Sequence, residues 1–371
     1  MVADEKYWRD VLSGNRRGLK YTAIRGALLF LEALYAAGLS IYLWFEKVGI
    51  RPRTELDVTV ISIGNLAVGG TGKTPATQWL AKQLLRHGYR PAILNRGHGG
   101  SLSPQVALVS DRGGHVKFAA AEAGDEAVML ATNLPGIPVV VGKDRRNSGR
   151  LAIDEMAANV LVLDDGFQYW QLARDLDIVL LDASQPFDNG HALPRGFLRE
   201  PKSGLRRAGV VLVTRSGRLT SGERSALSRT IAELAPDASV FFAAHKASGI
   251  APQNEAARAH IAQRLLPVCG IAQPGSFTSA LHEAAGCAVA ETLAFPDHQP
   301  YGDGERESIL RRLAESNSDG VITTEKDAVK FPAGYLDVPV YTLRIAMAID
   351  DEALFWETVK LRAGLADMRN D

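Results

Sequence analysis

The stretch VTVISIGNLAVGGTGKTPATQWLAKQLLRHG, residues 58–88, decides the fold of this chain. Its β-branched run at 58–63 predicts a buried parallel strand, and the apolar residues after Thr74 recur at helical spacing. Between them, residues 67–74 have the spacing of a phosphate-binding P-loop, with alanine in place of the first glycine. A strand, a glycine-rich loop and a helix in this order predict a nucleotide-binding α/β domain with a P-loop NTPase-type parallel sheet.

Each part of this loop has an expected role. Glycines that tolerate positive φ allow backbone N–H groups to approach phosphate oxygens at the positive end of a helix. Lys73 would contact the β- and γ-phosphates, and the Thr74 hydroxyl would bind Mg²⁺. The predicted nucleotide-binding residues are Ala67, Val68, Gly69, Gly70, Thr71, Gly72, Lys73 and Thr74.

The composition of the chain limits its possible partners, its cellular environment and its number of domains. Lysine plus arginine and aspartate plus glutamate both number 42 in a chain of 371 residues, so overall charge predicts no nucleic-acid partner. Two cysteines are too few for a disulfide scaffold, and a reducing cytosolic environment is expected. We predict an N-terminal helical segment at 1–55, a nucleotide-binding domain at 56–247 and a smaller α/β domain at 262–371, in a monomer.

An apolar segment at 26–45 carries one charge, Glu32. A helix of about 20 residues is about 30 Å long, which is enough to cross a bilayer core. Small and polar residues nevertheless follow one side of it, and basic and aromatic residues flank it, which favours a helix that lies on an anionic membrane surface. A buried helix of a soluble core and a spanning helix are the alternatives. The first twenty residues lack the apolar core of a cleavable signal peptide.

Candidate site residues follow the predicted strands of the nucleotide domain. The apolar run at 159–163 ends in Asp164 and Asp165, as in a P-loop NTPase strand whose terminal carboxylate binds Mg²⁺. Asp125 has the spacing of a helix N-cap. Three arginines in basic or glycine-rich loops, Arg96, Arg145 and Arg199, are candidates for substrate or phosphate binding, with solvated surface arginines as the alternative.

The C-terminal part alternates again between strands and helices. We predict strands at 265–269, 288–293, 320–323 and 338–345, with helices near 276–285, 304–314 and 350–359. Two loops would face the nucleotide cleft. His298 in FPDHQPY is either an acid/base or a structural histidine, and Lys326 in TTEKDAVKF is either an anion-binding or an ordinary surface lysine.

Seven motifs in order give the chain a resemblance to one family. They are IGNLAVGGTGKTP, NRGHGG, AGDEAVMLA, LVLDDGFQ, LPRGFLREP, FPDHQPY and TTEKDAVKF, and together they resemble the tetraacyldisaccharide 4'-kinases of lipid A biosynthesis. The resemblance implies ATP- and Mg²⁺-dependent phosphorylation of the 4'-hydroxyl of an acylated glucosamine disaccharide 1-phosphate. It also implies two α/β/α domains around a cleft and a membrane-contacting helix at the cytoplasmic face of the bacterial inner membrane.

The resemblance also assigns roles to residues. It places the catalytic aspartate at Asp125 and its partner histidine at His298, and with these we expect Thr74, Asp164 and Glu126 to be the magnesium ligands. The sequence departs from the family pattern at five positions, namely Ala67, His98, Arg195, Phe197 and Gln299. The main alternative function is a P-loop switch or chaperone ATPase at the membrane, but such proteins carry a lysine where Val68 stands here.

Overall fold

The structure is a computed structural model that describes residues 2–50, 52–259, 261–284, 286–297, 299–332 and 334–366, without the side chains of residues 2–6 and 47. The helices are α1 (Val2–Leu12), α2 (Leu19–Lys47), α3 (Lys73–Arg86), α4 (Ala120–Ala123), α5 (Asp125–Asn133), α6 (Arg145–Met156), α7 (Ser221–Leu234), α8 (Glu255–Ala259), α9 (Pro274–Ala284), α10 (Asp303–Glu315), α11 (Glu325–Ala328) and α12 (Glu352–Arg362). Short 3₁₀ turns occupy Lys202–Arg207 and Ser216–Arg218.

The strands are β1 (Thr59–Asn65), β2 (Pro91–Asn95), β3 (Ala107–Ser110), β4 (Val139–Val141), β5 (Val160–Asp164), β6 (Leu176–Asp182), β7 (Val210–Thr214), β8 (Ser239–Pro252), β9 (Arg264–Cys269), β10 (Ala288–Val289), β11 (Leu293–Ala294), β12 (Gly320–Thr324) and β13 (Val340–Ile349). In the described part of the chain they form one sheet in the order β10-β9-β12-β13-β8-β7-β6-β1-β5-β2-β4-β3, with β11 also beside β9. The pairs β3–β4 and β8–β13 are antiparallel, and the other pairs are parallel. The predicted α/β class with a mostly parallel sheet is confirmed.

Helices cover both faces of the sheet because its central strands are apolar on both sides. On one face, Ile61 and Ile63 of β1 share a buried cluster with Leu80 of α3 and Phe355 of α12. On the other face, Val60 of β1 packs in a cluster with Ala152 of α6. Because side chains alternate along a strand, one apolar run supplies both cores and holds β1 at the centre of the sheet.

The two halves of the chain meet in the long pair β8–β13. Strand β8 continues to Pro252, so residue 247, the predicted end of the nucleotide-binding domain, lies inside a strand. The final helix α12 packs on α3, where the rings of Trp79 and Phe355 lie 4.9 Å apart. The division into domains at 247 and 262 stays a prediction.

One strand prediction needs correction. The predicted strand at 288–293 is two short strands, β10 and β11, which pair with different parts of β9. Residues 290–292 lie between the two strands and belong to neither. The prediction from apolar composition alone therefore joined two short strands into one.

Helix α2 confirms the helical prediction for 26–45 and is longer than predicted. By length and composition, the stretch Leu19–Glu46 is a candidate for crossing a membrane, and no part of its most apolar window is buried in the protein. The alternative of a buried core helix is therefore wrong.

Candidate active site

The P-loop follows β1 and ends where α3 begins. Gly72 is the residue before α3 and has φ of 89°, in the left-handed region that a residue with a side chain adopts only with strain. A Cβ added at Gly69 or Gly70 would meet no other atom within 4 Å, so the backbone of the loop is open to a ligand there. The side chain of Asn65 closes the base of the loop by donating from Nδ2 to Ala67 O at 2.7 Å.

A partly buried histidine packs against this loop. The imidazole of His245, on β8, occupies the position where a Cβ on Gly72 would be, so this position admits only glycine. Nε2 of His245 is buried without a hydrogen-bond partner. Burial, with Arg215 nearby, lowers the pKa of His245 to about 4, so the ring is neutral at physiological pH.

Asp164 ends β5 beside the base of the P-loop, paired in register with Ile63 of β1. Its two oxygens accept hydrogen bonds from Thr77 Oγ1 at 2.9 Å and from Asn95 Nδ2 at 2.8 Å. Burial, together with the charges of Glu126 and Asp165, raises the pKa of Asp164 to about 6. Three carboxylates are therefore close enough to repel one another at the foot of the nucleotide loop.

Asp165, the next residue, forms ion pairs with Lys73 and Arg199. Its φ of 54° bends the chain directly after β5, and Asp165 Oδ1 lies 3.6 Å from Lys73 Nζ. Arg199 Nη1 donates to both Asp165 oxygens, at 2.8 and 2.9 Å. Burial disfavours the charged carboxylate, but Lys73 and Arg199 outweigh it and lower the pKa of Asp165.

The residues at this edge fit a magnesium ion bound together with nucleotide. Among the described residues, no group of three or more histidine, cysteine, aspartate or glutamate side chains could hold a metal unaided. P-loop proteins do not need such a group, because a hydroxyl, a carboxylate and phosphate oxygens complete the coordination. Burial and the neighbouring charges of Glu126 and Asp165 disfavour the ionised form of Asp164 and raise its pKa, and a divalent cation at this carboxylate would offset these effects.

The three predicted arginines lie in different environments. Arg199 contacts Asp165, as described. Arg145 is buried, donates to Gly142 O at 3.0 Å and leaves its Nε without a partner. Burial lowers its pKa to about 10, against the attraction of Asp164. Arg96 is exposed at the end of β2. The solvated-surface alternative is thus wrong for Arg145 and Arg199.

Asp125 is buried and begins α5, where Gly124 precedes it with φ of 91°. Asp125 is thus the first helical residue and not the N-cap, although its Oδ1 accepts from the Glu126 N–H at 2.9 Å. The NRGHGG motif supports this helix start: a Cβ at Gly124 would lie 2.7 Å from His98 O. This close contact is a role for the motif that sequence reasoning missed.

A lysine from the C-terminal half of the chain contacts Asp125. Lys326 Nζ lies 3.9 Å from Asp125 Oδ2 and 3.3 Å from Asp297 Oδ1. Lys326 is therefore not an ordinary surface lysine, and its loop contacts α5; that the loop faces the nucleotide cleft stays a prediction. His298, the predicted partner of Asp125, lies outside the described residues.

Sequence reasoning also missed several polar residues that organise the site. They are Asn65, Thr77, Asn95, Gln168 and Glu200. Glu200 is buried, accepts from Arg207 Nη2 at 2.7 Å and from Gln168 Nε2 at 2.8 Å, and follows Arg199 directly. Asn65 and Asn95 each end a strand that is mostly apolar, and this signal was available in the sequence.

A P-loop at the carboxyl edge of a mostly parallel sheet, with a strand-terminal carboxylate beside it, defines a P-loop nucleotide-binding protein. A family model described as tetraacyldisaccharide-1-P 4'-kinase matches residues 24–363, and the chain belongs to that family. The tetraacyldisaccharide 4'-kinase of Pelobacter propionicus is 40% identical over 87% of this chain and 88% of its own length. The Geobacter sulfurreducens enzyme of the same name is 39% identical over 94% and 96%. A crystal structure of LpxK from Aquifex aeolicus in complex with ATP has a TM-score of 0.71 and 28% identity, covering 91% of this chain and 99% of that chain.

Proposed function

We propose that this protein transfers the γ-phosphoryl group of ATP to the 4'-hydroxyl of a tetraacylated glucosamine disaccharide 1-phosphate, a step of lipid A biosynthesis. The main observation is that, in a member of this kinase family, the P-loop lies beside the buried carboxylate Asp164 at the end of β5, and that Glu126, next to buried Asp125 at the start of α5, is close enough for its charge to act on Asp164. Nothing in the site favours a switch ATPase, and Val68 occupies the position where such proteins carry their lysine.

In this proposal Asp125 is the general base. Its buried carboxylate takes the proton of the attacking sugar hydroxyl, and the adjacent Glu126 N–H and the Lys326 ammonium hold it in place. His298 is assigned as its partner from the family resemblance. Because phosphoryl transfer has a loose transition state, positioning and charge from Lys73 contribute more than proton removal does.

Magnesium binding is part of the same proposal. Thr74, Asp164 and Glu126 are the proposed ligands, and Mg²⁺ would neutralise charge that develops on the phosphate oxygens. Asp164 is pre-oriented for this by Thr77 and Asn95. Arg145 and Arg199 are proposed to contact phosphate groups of nucleotide or substrate, and the exposed Arg96 is proposed as a more peripheral contact.

We propose that α2 attaches the protein to the cytoplasmic leaflet of the bacterial inner membrane by lying on it. Large apolar side chains on one side of α2 are exposed, including Phe30, Leu34, Ile41 and Trp44. The other side is attached to the protein: Tyr42 contacts the ring of Trp170 at a centroid distance of 5.4 Å. A helix with one protein-facing and one lipid-facing side suits the interface better than the bilayer core. The protein is proposed to act as a monomer.

The test is incubation with ATP, Mg²⁺ and the tetraacylated disaccharide 1-phosphate in mixed micelles. Lipid product carrying a second phosphate is the expected result, with a Lys73→Ala variant as the inactive control. ATP consumption that leaves the lipid unphosphorylated would support the switch ATPase instead.

A further inference from the structure

The single charge of the apolar segment, Glu32, is bonded to the globular part of the protein. Glu32 Oε1 accepts a hydrogen bond from the Ala192 N–H at 2.6 Å. Glu32 Oε2 lies 2.9 Å from Nδ1 of His191. Tyr35, three residues further along the same face of α2, donates its hydroxyl to Arg199 O at 2.6 Å. Both partners belong to residues 189–200, a segment that we call the 189–200 loop. Helix α2 therefore holds this loop at two points.

The other side of the 189–200 loop is bonded to the start of the P-loop. The Val68 N–H donates to Phe197 O at 2.7 Å, and the Arg199 N–H donates to Leu66 O at 2.6 Å. The Arg199 guanidinium contacts Asp165, which also lies 3.6 Å from Lys73. Three hydrogen-bonded layers thus follow one another: helix α2, the 189–200 loop, and the nucleotide site.

Arg199 is the residue on which these contacts converge. Its backbone carbonyl accepts from the membrane-proximal helix, its backbone N–H donates to the residue after β1, and its side chain contacts a site carboxylate. A backbone fixed on both sides restricts where a long arginine side chain can place its charge. That restriction matters because misplacement of a charged group by about 1 Å can cost about 100-fold in rate.

We propose that Glu32 and Tyr35 are positioning residues for phosphoryl transfer: through the 189–200 loop, helix α2 sets the position of Arg199 and of the first residues of the P-loop. The same helix that contacts lipid is then part of the support of the active site. This inference rests on the proposed function for its kinetic test, while its structural test does not depend on that function.

The kinetic test compares Tyr35→Phe and Glu32→Gln with Phe30→Ala, which alters the exposed face of the same helix. We expect kcat for lipid phosphorylation to fall about fivefold in Tyr35→Phe, the effect of one uncharged hydrogen bond, and at least as much in Glu32→Gln. KM for the lipid should change less than twofold. Phe30→Ala should instead raise KM and keep kcat. A raised KM with unchanged kcat in Tyr35→Phe would show that α2 serves only to attach the protein to the membrane, and this result would overturn the proposal.

A double variant tests whether the effect of Tyr35 on kcat passes through the Arg199 side chain, because Arg199→Ala removes the guanidinium and keeps the backbone carbonyl that Tyr35 contacts. If it does, adding Tyr35→Phe to Arg199→Ala causes no further loss of kcat, whereas adding Phe30→Ala changes KM independently. A full additional fivefold loss from Tyr35→Phe in that background would contradict a role through Arg199.

Amide hydrogen exchange tests the coupling without any assay of activity. In Tyr35→Phe, peptides that contain Val68 and Arg199 should exchange faster than in the wild-type protein, because their N–H groups bond across the 189–200 loop. Phe30→Ala should leave both peptides unchanged. Unaltered exchange in Tyr35→Phe would overturn the proposal, even if the protein proved to phosphorylate another substrate. Failure of the wild-type protein to phosphorylate the lipid would instead count against the proposed function alone.

Discussion

Lys326 Nζ lies 3.9 Å from Oδ2 of Asp125, so a lysine that follows β12 contacts a carboxylate that begins α5. The two residues come from opposite halves of the chain, and Asp297 contacts the same ammonium at 3.3 Å. A helix-start aspartate thereby gains a cation that its own helix does not supply. The contact gives Lys326 a role in orienting the proposed base.

Replacement of this lysine tests that role. We expect Lys326→Met to lower kcat about tenfold, because Asp125 loses one of the contacts that orient it, while Lys326→Arg keeps the charge and most of the rate. Steady-state kinetics measure both, with Lys117→Met on an exposed loop as control. Wild-type kcat in Lys326→Met would show that the ion pair has no part in the reaction.

Asp125→Asn should remove the proposed base and keep the local shape of the site. The expected loss in turnover is about 100-fold or more, with ATP affinity within about twofold of the wild-type value. Single-turnover phosphorylation and nucleotide titration separate the two quantities. The matched control is Asp154→Asn, at an exposed position of α6. If Asp125→Asn kept normal turnover, the carboxylate would have only a structural role at the start of α5.

Gly72→Ala should abolish tight ATP binding. The new Cβ would occupy the space of the His245 imidazole, and φ of 89° is unfavourable for alanine. Adding His245→Ala should restore binding only in part, since it relieves the clash but not the backbone strain. Gly275→Ala, at a helical position with no atom within 4 Å of the added Cβ, is the control and should bind ATP normally. Equal binding by Gly72→Ala would contradict this packing.

The stability of the protein should depend on pH through His245. Burial lowers its folded-state pKa to about 4, below the ordinary value of 6.5, so the unfolded chain takes up the proton first. Stability is therefore fully present above pH 6.5 and is lost as pH falls towards 4, by up to about 3 kcal/mol. Denaturant titrations at a series of pH values measure the effect. His245→Gln cannot titrate and should lose this part of the pH dependence, and an identical pH profile in the variant would refute the assignment.

The exposed face of α2 should determine membrane binding. Phe30→Ala combined with Leu34→Ala should weaken binding to anionic vesicles at least tenfold, because two large apolar side chains no longer enter the interface. Co-sedimentation with vesicles provides the measurement. Leu361→Ala removes an even more exposed leucine from α12 and should bind vesicles as the wild-type protein does. Undiminished binding by the double variant would count against interfacial attachment through this face.

The sequence by itself determined the nucleotide half of the site. Strand β1, the P-loop and α3 are adjacent in the chain, and their periodicity and glycine spacing are local signals that specify local structure. Asp164 was equally readable, because a carboxylate that ends an apolar strand lies at the same edge as the loop after β1. The order of seven motifs identified the family before any geometry was known.

Tertiary structure alone decided which distant residues meet. Pairing of β8 with β13 joins the two halves of the sheet, and the approach of β12 to α5 brings Lys326 to Asp125. His245 beneath Gly72 and Glu32 beside His191 are contacts of the same kind. Such contacts depend on chain reversals and side-chain packing over long separations, and hydrophobic periodicity contains no information about them. The folded chain therefore shows what the sequence could not: the apolar N-terminal helix is bonded through Glu32, the one charge within residues 26–45, to the loop that supports the P-loop.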